Sequence, residues 1–262
     1  MYTGRVSLAA PMRQLGQFYK MGADVAVGLV RTRFQVQEFL EQSWMIARVS
    51  LVPTVLVAVP FTVLVSFTLN ILLREIGAAD LSGAGAALGA VTQVGPVVTV
   101  LIVAGAGATA IAADLGSRTI REEIDAMEAL AIRPIPYLVT TRLMASVVAV
   151  VPLYLLCLAL NYVAVKVVIG LSGGVSTGTY EHYFRLVLSA TDIGYSLVKA
   201  VVFVIITSTI QCYYGFFASG GPQGVGTAAG RAMRASISAM IVVNLLLTVA
   251  FWGIGSGARL GG

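Results

Sequence analysis

Five long stretches of the sequence contain no Asp, Glu, Lys or Arg, and they constrain the fold more than any other feature. Arg48 and Arg74 enclose 25 such residues, Asp80 and Asp114 enclose 33, and Arg142 and Lys166 enclose 23. Lys199 and Arg231 enclose 31, and Arg234 and Arg259 enclose 24. A helix needs about 20 apolar residues to cross a bilayer, so each stretch spans once and none comfortably spans twice. The expected spans are 49–73, 88–112, 143–168, 197–218 and 236–256. Only 11% of the 262 residues are charged, against roughly 25% in soluble domains. That deficit excludes an ordinary soluble domain, a disordered chain and a coiled coil. The expected fold is an all-α integral membrane domain over 49–262, preceded by a cytoplasmic segment, 1–48.

The net charge of +5 invites a nucleic-acid reading, but the basic residues sit between the apolar runs. Arg5, Arg13, Lys20, Arg31, Arg33 and Arg48 precede the first span. Arg118, Arg121, Arg133 and Arg142 follow the second, and Arg231 and Arg234 follow the fourth. Those regions hold twelve of the seventeen basic residues; Arg74, Lys166, Arg185, Lys199 and Arg259 fall on the other side. The positive-inside rule then puts the N-terminus in the cytoplasm and the C-terminus outside. The uncharged run from Val6 to Met12 is too short and polar for the core of a signal peptide.

Within the first segment, Leu15, Phe18, Gly22, Val25 and Leu29 recur at helical spacing, with Lys20, Asp24, Arg31 and Arg33 largely elsewhere on the wheel. This predicts an interfacial amphipathic helix, with Phe34, Phe39 and Trp44 continuing toward the first span; a soluble tail is the alternative. In the external loop 171–195, Gly170, Gly173, Gly174 and Gly178 break the helix. Tyr180, Tyr183, Phe184 and Val187 then recur at helical spacing. That pattern fits a short interfacial or partner-binding helix, or simple packing at the membrane surface.

Catalytic chemistry is sparse. His182 is the one histidine, and no Ser-His-Asp or Cys-His set assembles around it. Cys157 and Cys212 lie in apolar runs without CxxC spacing, so no metal site or disulfide framework is indicated. The spans as drawn contain no Asp or Glu, which argues against a proton relay. None of the three lysines belongs to a GxxxxGK[ST] loop, so any ATP bound in the working system is bound by another subunit.

Two segments stand out. The second span carries Gly83, Gly85, Gly89, Gly95, Pro96, Gly105 and Gly107. Small residues permit close helix approach, inside the bundle or at a dimer seam, and Gly95-Pro96 predicts a kink. Thr92 and Gln93, one turn earlier, line a cavity on one reading and belong to a packing helix on the other. Asn70, Asn161 and Asn244 read as interhelical hydrogen-bonding residues. The second segment is the acidic stretch between spans two and three. Ile120, Ile124, Met127 and Leu130–Ala131 form an apolar stripe. Glu122, Asp125 and Glu128 mark another face beside Glu123, and Pro134 is the expected stop. An amphipathic helix here suits docking onto a soluble partner, or a solvated loop helix.

Gly95-Pro96, Ala104-Gly105-Ala106-Gly107-Ala108, Asp114-Leu115-Gly116, Glu122-Glu123-Ile124-Asp125-Ala126-Met127-Glu128, Pro134 and Arg142 together resemble the MlaE/YrbE permease family. Gly224-Val225-Gly226 followed by Arg231 and Arg234 extends the likeness, which is strongest to the actinobacterial branch that works with Mce proteins. The resemblance implies the permease subunit of an ATP-driven lipid importer in the plasma membrane, with no cofactor of its own. Implied partners are a second YrbE-type permease, in a heterodimer or a homodimer, a cytoplasmic ATPase dimer carrying ATP and Mg, and external MCE-domain proteins. It also implies a coupling helix at 120–131 (Ile120, Glu122, Glu123, Ile124, Asp125, Met127, Glu128, Leu130) and a lipid cavity at the kink (Thr92, Gln93, Gly95, Pro96). Several bacterial relatives have Arg-Glu-Leu-Gly-Pro where this chain has Thr92-Gln93-Val94-Gly95-Pro96, which points to a less polar cargo such as a fatty acid or sterol. Asn70-Ile-Leu-Leu-Arg74 looks like one YrbE subtype, while Tyr180-Glu-His-Tyr-Phe184 and Cys212-Tyr-Tyr-Gly215 look like its paired subtype. The other readings are a membrane scaffold that anchors partners without forming a path, and an integral-membrane lipid enzyme.

Overall fold

The computed structural model describes residues 9–31, 35–171 and 176–253. Eight helical elements follow in chain order: α1 (Ala9–Arg31), α2 (Val36–Glu75), α3 (Ala79–Ile120), α4 (Glu123–Ala129), α5 (Ile135–Leu171), α6 (Thr177–Val187), α7 (Ala190–Phe216) and α8 (Gly221–Phe251). Of these, α2, α3, α5, α7 and α8 are long and apolar enough to cross a membrane. Each expected span falls on one of these helices, which begins before its uncharged run; 197–218 runs two residues past the end of α7, and the last residues of 236–256 lie outside the described residues. The expectations that involve Arg5, Arg33, Phe34, Gly173, Gly174 and Arg259 lie outside the described residues.

The helices outrun the uncharged stretches because charge stops a membrane span without stopping a helix. α2 begins at Val36, thirteen residues before the expected span. The pairs Gln37–Glu41 (3.1 Å) and Glu38–Gln42 (3.2 Å) support its first turns at the i,i+4 spacing that favours helix. It ends where Gly77 adopts φ +74°: Ala78 N–H reaches the Leu73 carbonyl and Gly77 N–H the Arg74 carbonyl, a pair of bonds that closes a helix.

α1 uses its apolar side on the protein. Met21 and Val25 are buried in the main core, Phe18 meets the Tyr213 ring edge-on at 5.8 Å, and Tyr213 Oη donates to Gln17 Oε1 at 3.3 Å. The side chains of Leu15 and Leu29 fall outside the described set.

α3 lies at the centre: 53% of its most apolar stretch is buried, against 11% for α8. Two segments of α3, Ala87–Val94 and Val103–Gly107, wind in wider five-residue turns. α2 packs along α5. Its buried positions recur every fourth residue, as Gln42, Ile46, Ser50, Thr54, Ala58, Thr62, Ser66 and Asn70. Val52, Leu56, Phe61 and Leu64 face outward. The oxygens Asn70 Oδ1, Asn161 Oδ1 and Asn244 Oδ1 meet no hydrogen-bond donor among the described residues, and Asn161 Nδ2 donates within its own helix, to Cys157 Sγ at 3.3 Å.

Between α5 and α7, α6 is the helix expected from Tyr180, Tyr183, Phe184 and Val187. Ser176 caps it, accepting from Thr179 N–H at 3.1 Å. Tyr180 and Phe184 are buried against Ala86, Ala87, Val91, Val165 and Ile169, which favours the packing alternative for that face. Gly83 lies beneath, where an added Cβ would run into the Tyr180 carbonyl. Lys166 Nζ donates to Glu181 Oε1, fastening α6 to α5. That bond holds the Glu181 carboxyl below its ordinary range. His182 is exposed at this helix, edge-on to Tyr183.

Candidate functional site: a kinked central helix and a short acidic helix

At the kink the backbone itself dictates the surroundings. Gly95 N–H reaches back five residues to the Ala90 carbonyl. In that register the next carbonyl, Val91, faces the nitrogen of Pro96, which carries no hydrogen. Tyr154 Oη on α5 takes the missing donor's place, at 3.3 Å from Val91 O. Glycine at 95 suits the close packing: a Cβ would lie 3.2 Å from both the Ala90 carbonyl oxygen and the Tyr154 ring, a tight contact that one of them would have to relieve.

Thr92 and Gln93 part ways. Thr92 is buried and donates to the Leu88 carbonyl of its own helix, which leaves it a packing role. Gln93 is half-buried and joins three helices. Its Oε1 accepts from Lys199 Nζ of α7 at 2.9 Å and from Thr248 Oγ1 of α8 at 3.3 Å. Lys199 Nζ also bonds Thr248 Oγ1 at 2.9 Å, and Thr248 Oγ1 lies 2.7 Å from the Asn244 carbonyl. Lys199 is fully buried. In the sequence it reads as one of the basic residues opposite the N-terminal side, although the expected span 197–218 already contains it. The signal that identifies it is positional: α7 begins nine residues earlier at Ala190, so Lys199 is already inside the span.

The space beside the kink is small. Ala90, Val91, Gly95, Tyr154, Asn161 and Tyr180 are among the residues lining a cavity of about 10 Å³, enough for about one water molecule. Of the four residues expected at the lipid cavity, Gly95 lines this space.

The second part lies where α3 ends and α5 begins. The expected helix 120–131 is shorter. Ile120 is the last residue of α3, and α4 runs from Glu123 to Ala129. Two left-handed residues bracket it, Glu122 at φ 58° and Ala131 at φ 57°. Ala131 N–H bonds the Glu128 carbonyl and Ile132 N–H the Met127 carbonyl, so the helix closes before Pro134 is reached. Pro134 is not the terminator; it immediately precedes α5, where its fixed φ suits a helix start.

The apolar stripe also divides. Ile124 is buried in this chain's own core and Met127 packs against it. Leu130 is 73% exposed and Ile120 38%. Glu122, Glu123, Asp125 and Glu128 are exposed, with Glu123 paired to Arg121 at 3.0 Å. One side of α4 is thus an anchor and the other a projecting apolar tip ringed by acids. Beside it Lys20, Asp24, Glu128, Arg133, Pro136 and Phe216 are among those lining a groove of about 510 Å³.

Sequence reading also missed an ionic network behind α4. Arg142 is fully buried; its Nη2 bonds Asp114 Oδ2 and its Nη1 donates to the Leu138 carbonyl at 3.0 Å. Arg118 lies 3.5 Å from Asp114 Oδ1 and 3.3 Å from Glu38 Oε1. In the sequence Arg118 and Arg142 read as basic residues of the loop after the second span, and Asp114 as the end of an uncharged run. The available signal was one acid, Asp114, directly ending an apolar run, with an arginine beginning the next.

The family profile described as Permease MlaE matches residues 39–250. A probable ABC transporter permease protein of Rickettsia typhi is 34% identical over 165 residues, 60% of either chain. A probable ABC transporter permease protein of Synechocystis aligns over 266 residues at 27% identity, 97% of either chain. The intermembrane phospholipid transport system permease protein MlaE of Haemophilus influenzae is 25% identical over 170 residues, 64% of this chain and 65% of that one. The chain spans about three fifths of the length of the Rickettsia typhi relative.

Proposed function

The chain belongs to the MlaE permease family, and from that premise we propose that it is the membrane subunit of an ATP-driven lipid transporter. The observation that carries the reading is α4, a rigid seven-residue helix set between two spanning helices with one face anchored and Leu130 projecting. Such a tip suits a groove on a soluble ATPase dimer, which supplies the ATP and Mg chemistry that this chain's sequence does not. The basic-residue asymmetry puts α4, and the N-terminus, on the cytoplasmic side of the plasma membrane. The narrow cavity at the kink supports a lipid path formed between two permease subunits rather than within one. The external ends of the spans, with α6, would face MCE-domain proteins. Lys199, bonded to Gln93 and Thr248, favours a cargo with an acidic end, such as a fatty acid, over a sterol.

The test is Leu130→Asp. An apolar anchor at the centre of a contact is worth about 2 kcal/mol or more, roughly thirtyfold in affinity. The variant is expected to reach the membrane in normal amount, to lose most co-purifying ATPase and to lose lipid uptake. Met127→Asp is a poorer choice because Met127 also packs inside this chain. A Leu130→Asp protein that keeps its ATPase and transports at the parental rate would overturn the docking assignment. Normal ATPase binding by the parent chain without lipid movement would favour a scaffold.

A further inference from the structure

We propose that Glu38 is a positioning residue for the docking helix, acting from α2 through Arg118; the inference builds on the reading of α4 given above. Glu38 lies in the first turn of α2, far from α4 in sequence. Its Oε1 is the meeting point of three donors: Gln42 Nε2 at 3.2 Å, Arg118 Nη2 at 3.3 Å and, more loosely, Arg142 Nη2 at 3.7 Å. Arg118 belongs to the last turn of α3. Beyond it come Ile120, the turn at Arg121 and Glu122, and then α4. Whatever holds Arg118 therefore sets where α4 starts.

The members of the network differ in kind. Asp114–Arg142 joins α3 to α5, with the guanidinium wholly buried and also bonded to the Leu138 carbonyl. Removing Asp114 leaves the buried Arg142 guanidinium with Glu38 at 3.7 Å as its one acidic neighbour among the described residues, a strongly destabilising change. Glu38 and Arg118 are each about a quarter exposed or less, at 21% and 26% of the side chain. Water can replace either partner there, so the contact can open without unfolding the bundle. A buried pair plus a releasable pair gives a fixed hinge and an adjustable arm. Ion pairs in water-accessible settings are individually weak, which suits an arm that an ATPase stroke must move.

Three electrostatic neighbours bear on Glu38, namely Arg118, Arg142 and, through both, Asp114. Glu38→Gln keeps the size and a hydrogen-bond acceptor while removing the charge. Glu38→Asp keeps the charge on a shorter stem and serves as the conservative control.

The decisive experiment uses the full chain with Cys157 and Cys212 replaced and spin labels at Leu40 on α2 and Ala126 on α4, both exposed. The distance distribution between labels in lipid nanodiscs is the readout. The parent is expected to give one narrow distance. Glu38→Gln and Arg118→Gln should each populate a second, longer distance, shifting the ratio about fivefold, as expected for a contact of about 1 kcal/mol. The double variant should match either single one, and Glu38→Asp should restore most of the narrow population. An unchanged distribution in Glu38→Gln overturns the proposal, as does a double variant whose effect is the sum of the two. In the complex with its ATPase, Glu38→Gln should hydrolyse ATP normally while moving several-fold less lipid per ATP; a purely structural residue would lower both together. If no ATPase associates with the parent, the transporter reading fails, while the distance measurement on the chain alone still decides the role of Glu38.

Discussion

Tyr154 at the kink offers a direct test of how the central helix is held. In the five-residue register set by Gly95 N–H and the Ala90 carbonyl, the Val91 carbonyl loses its donor to Pro96. Tyr154 Oη restores one at 3.3 Å. Tyr154→Phe keeps the ring and removes only that donor. A buried carbonyl left unpaired costs about 1–3 kcal/mol. Interhelical hydrogen bonds inside membranes average about 0.6 kcal/mol and reach about 1.7. The bond is long for O–H···O, which favours the lower part of the first range, so a loss of about 1–1.5 kcal/mol is expected. Pro96→Ala supplies the missing N–H. In that background the Val91 carbonyl has a backbone donor, and Tyr154→Phe should cost about 0.5 kcal/mol or less. The assay is reversible unfolding in mixed micelles for the four proteins of the cycle. The expected coupling, about 1 kcal/mol, exceeds the roughly 0.3–0.5 kcal/mol scatter of independent sites. Equal losses in the two backgrounds would refute the argument that Tyr154 substitutes for the proline's absent hydrogen.

The short helix α6 yields two more. Gly83→Val places side-chain atoms where the Tyr180 backbone lies; α6 should lift, seen as faster labelling of a cysteine introduced at Phe184, while α7 and α8 stay protected. Glu181 has its carboxyl pKa lowered chiefly by the Lys166 hydrogen bond, so its stabilising contribution is present above the ordinary value of 4.5 and is lost as pH falls through the lowered one. A spin label at position 184 should therefore stay immobilised near neutrality and gain mobility only in strong acid, and Glu181→Gln should abolish that dependence.

Hydrophobic run length made the five spans legible, and the 3.6-residue recurrence of Tyr180, Phe184 and Val187 made α6 legible. Both signals are local. The role of Lys199 depends on α3, α7 and α8 converging, and that of Arg142 on α2, α3 and α5 converging, which no single stretch of chain encodes. The docking helix fell between these cases. Its composition was visible, but its ends depend on Glu122 and Ala131 taking left-handed conformations that the sequence does not advertise with glycine. The division of its stripe depends on which side meets the bundle. Gln93 was singled out for its polarity in an apolar run, while its partner residues were not.

The four-residue recurrence on α2 carries a mechanical consequence. From Ser50 through Thr54, Ala58, Thr62 and Ser66, every buried position is small. Advancing α2 by four residues, about 6 Å along its axis, would exchange one small side chain for another along that whole length. The seam is thus close to translationally symmetric and does not by itself fix how far α2 is inserted along α5. Registration has to come from the ends, where the repeat breaks: Gln42 and Ile46 below, next to Glu38, and Asn70 above, just before the turn at Gly77. A rod graded only at its tips can glide by a full helical turn while its middle remains packed.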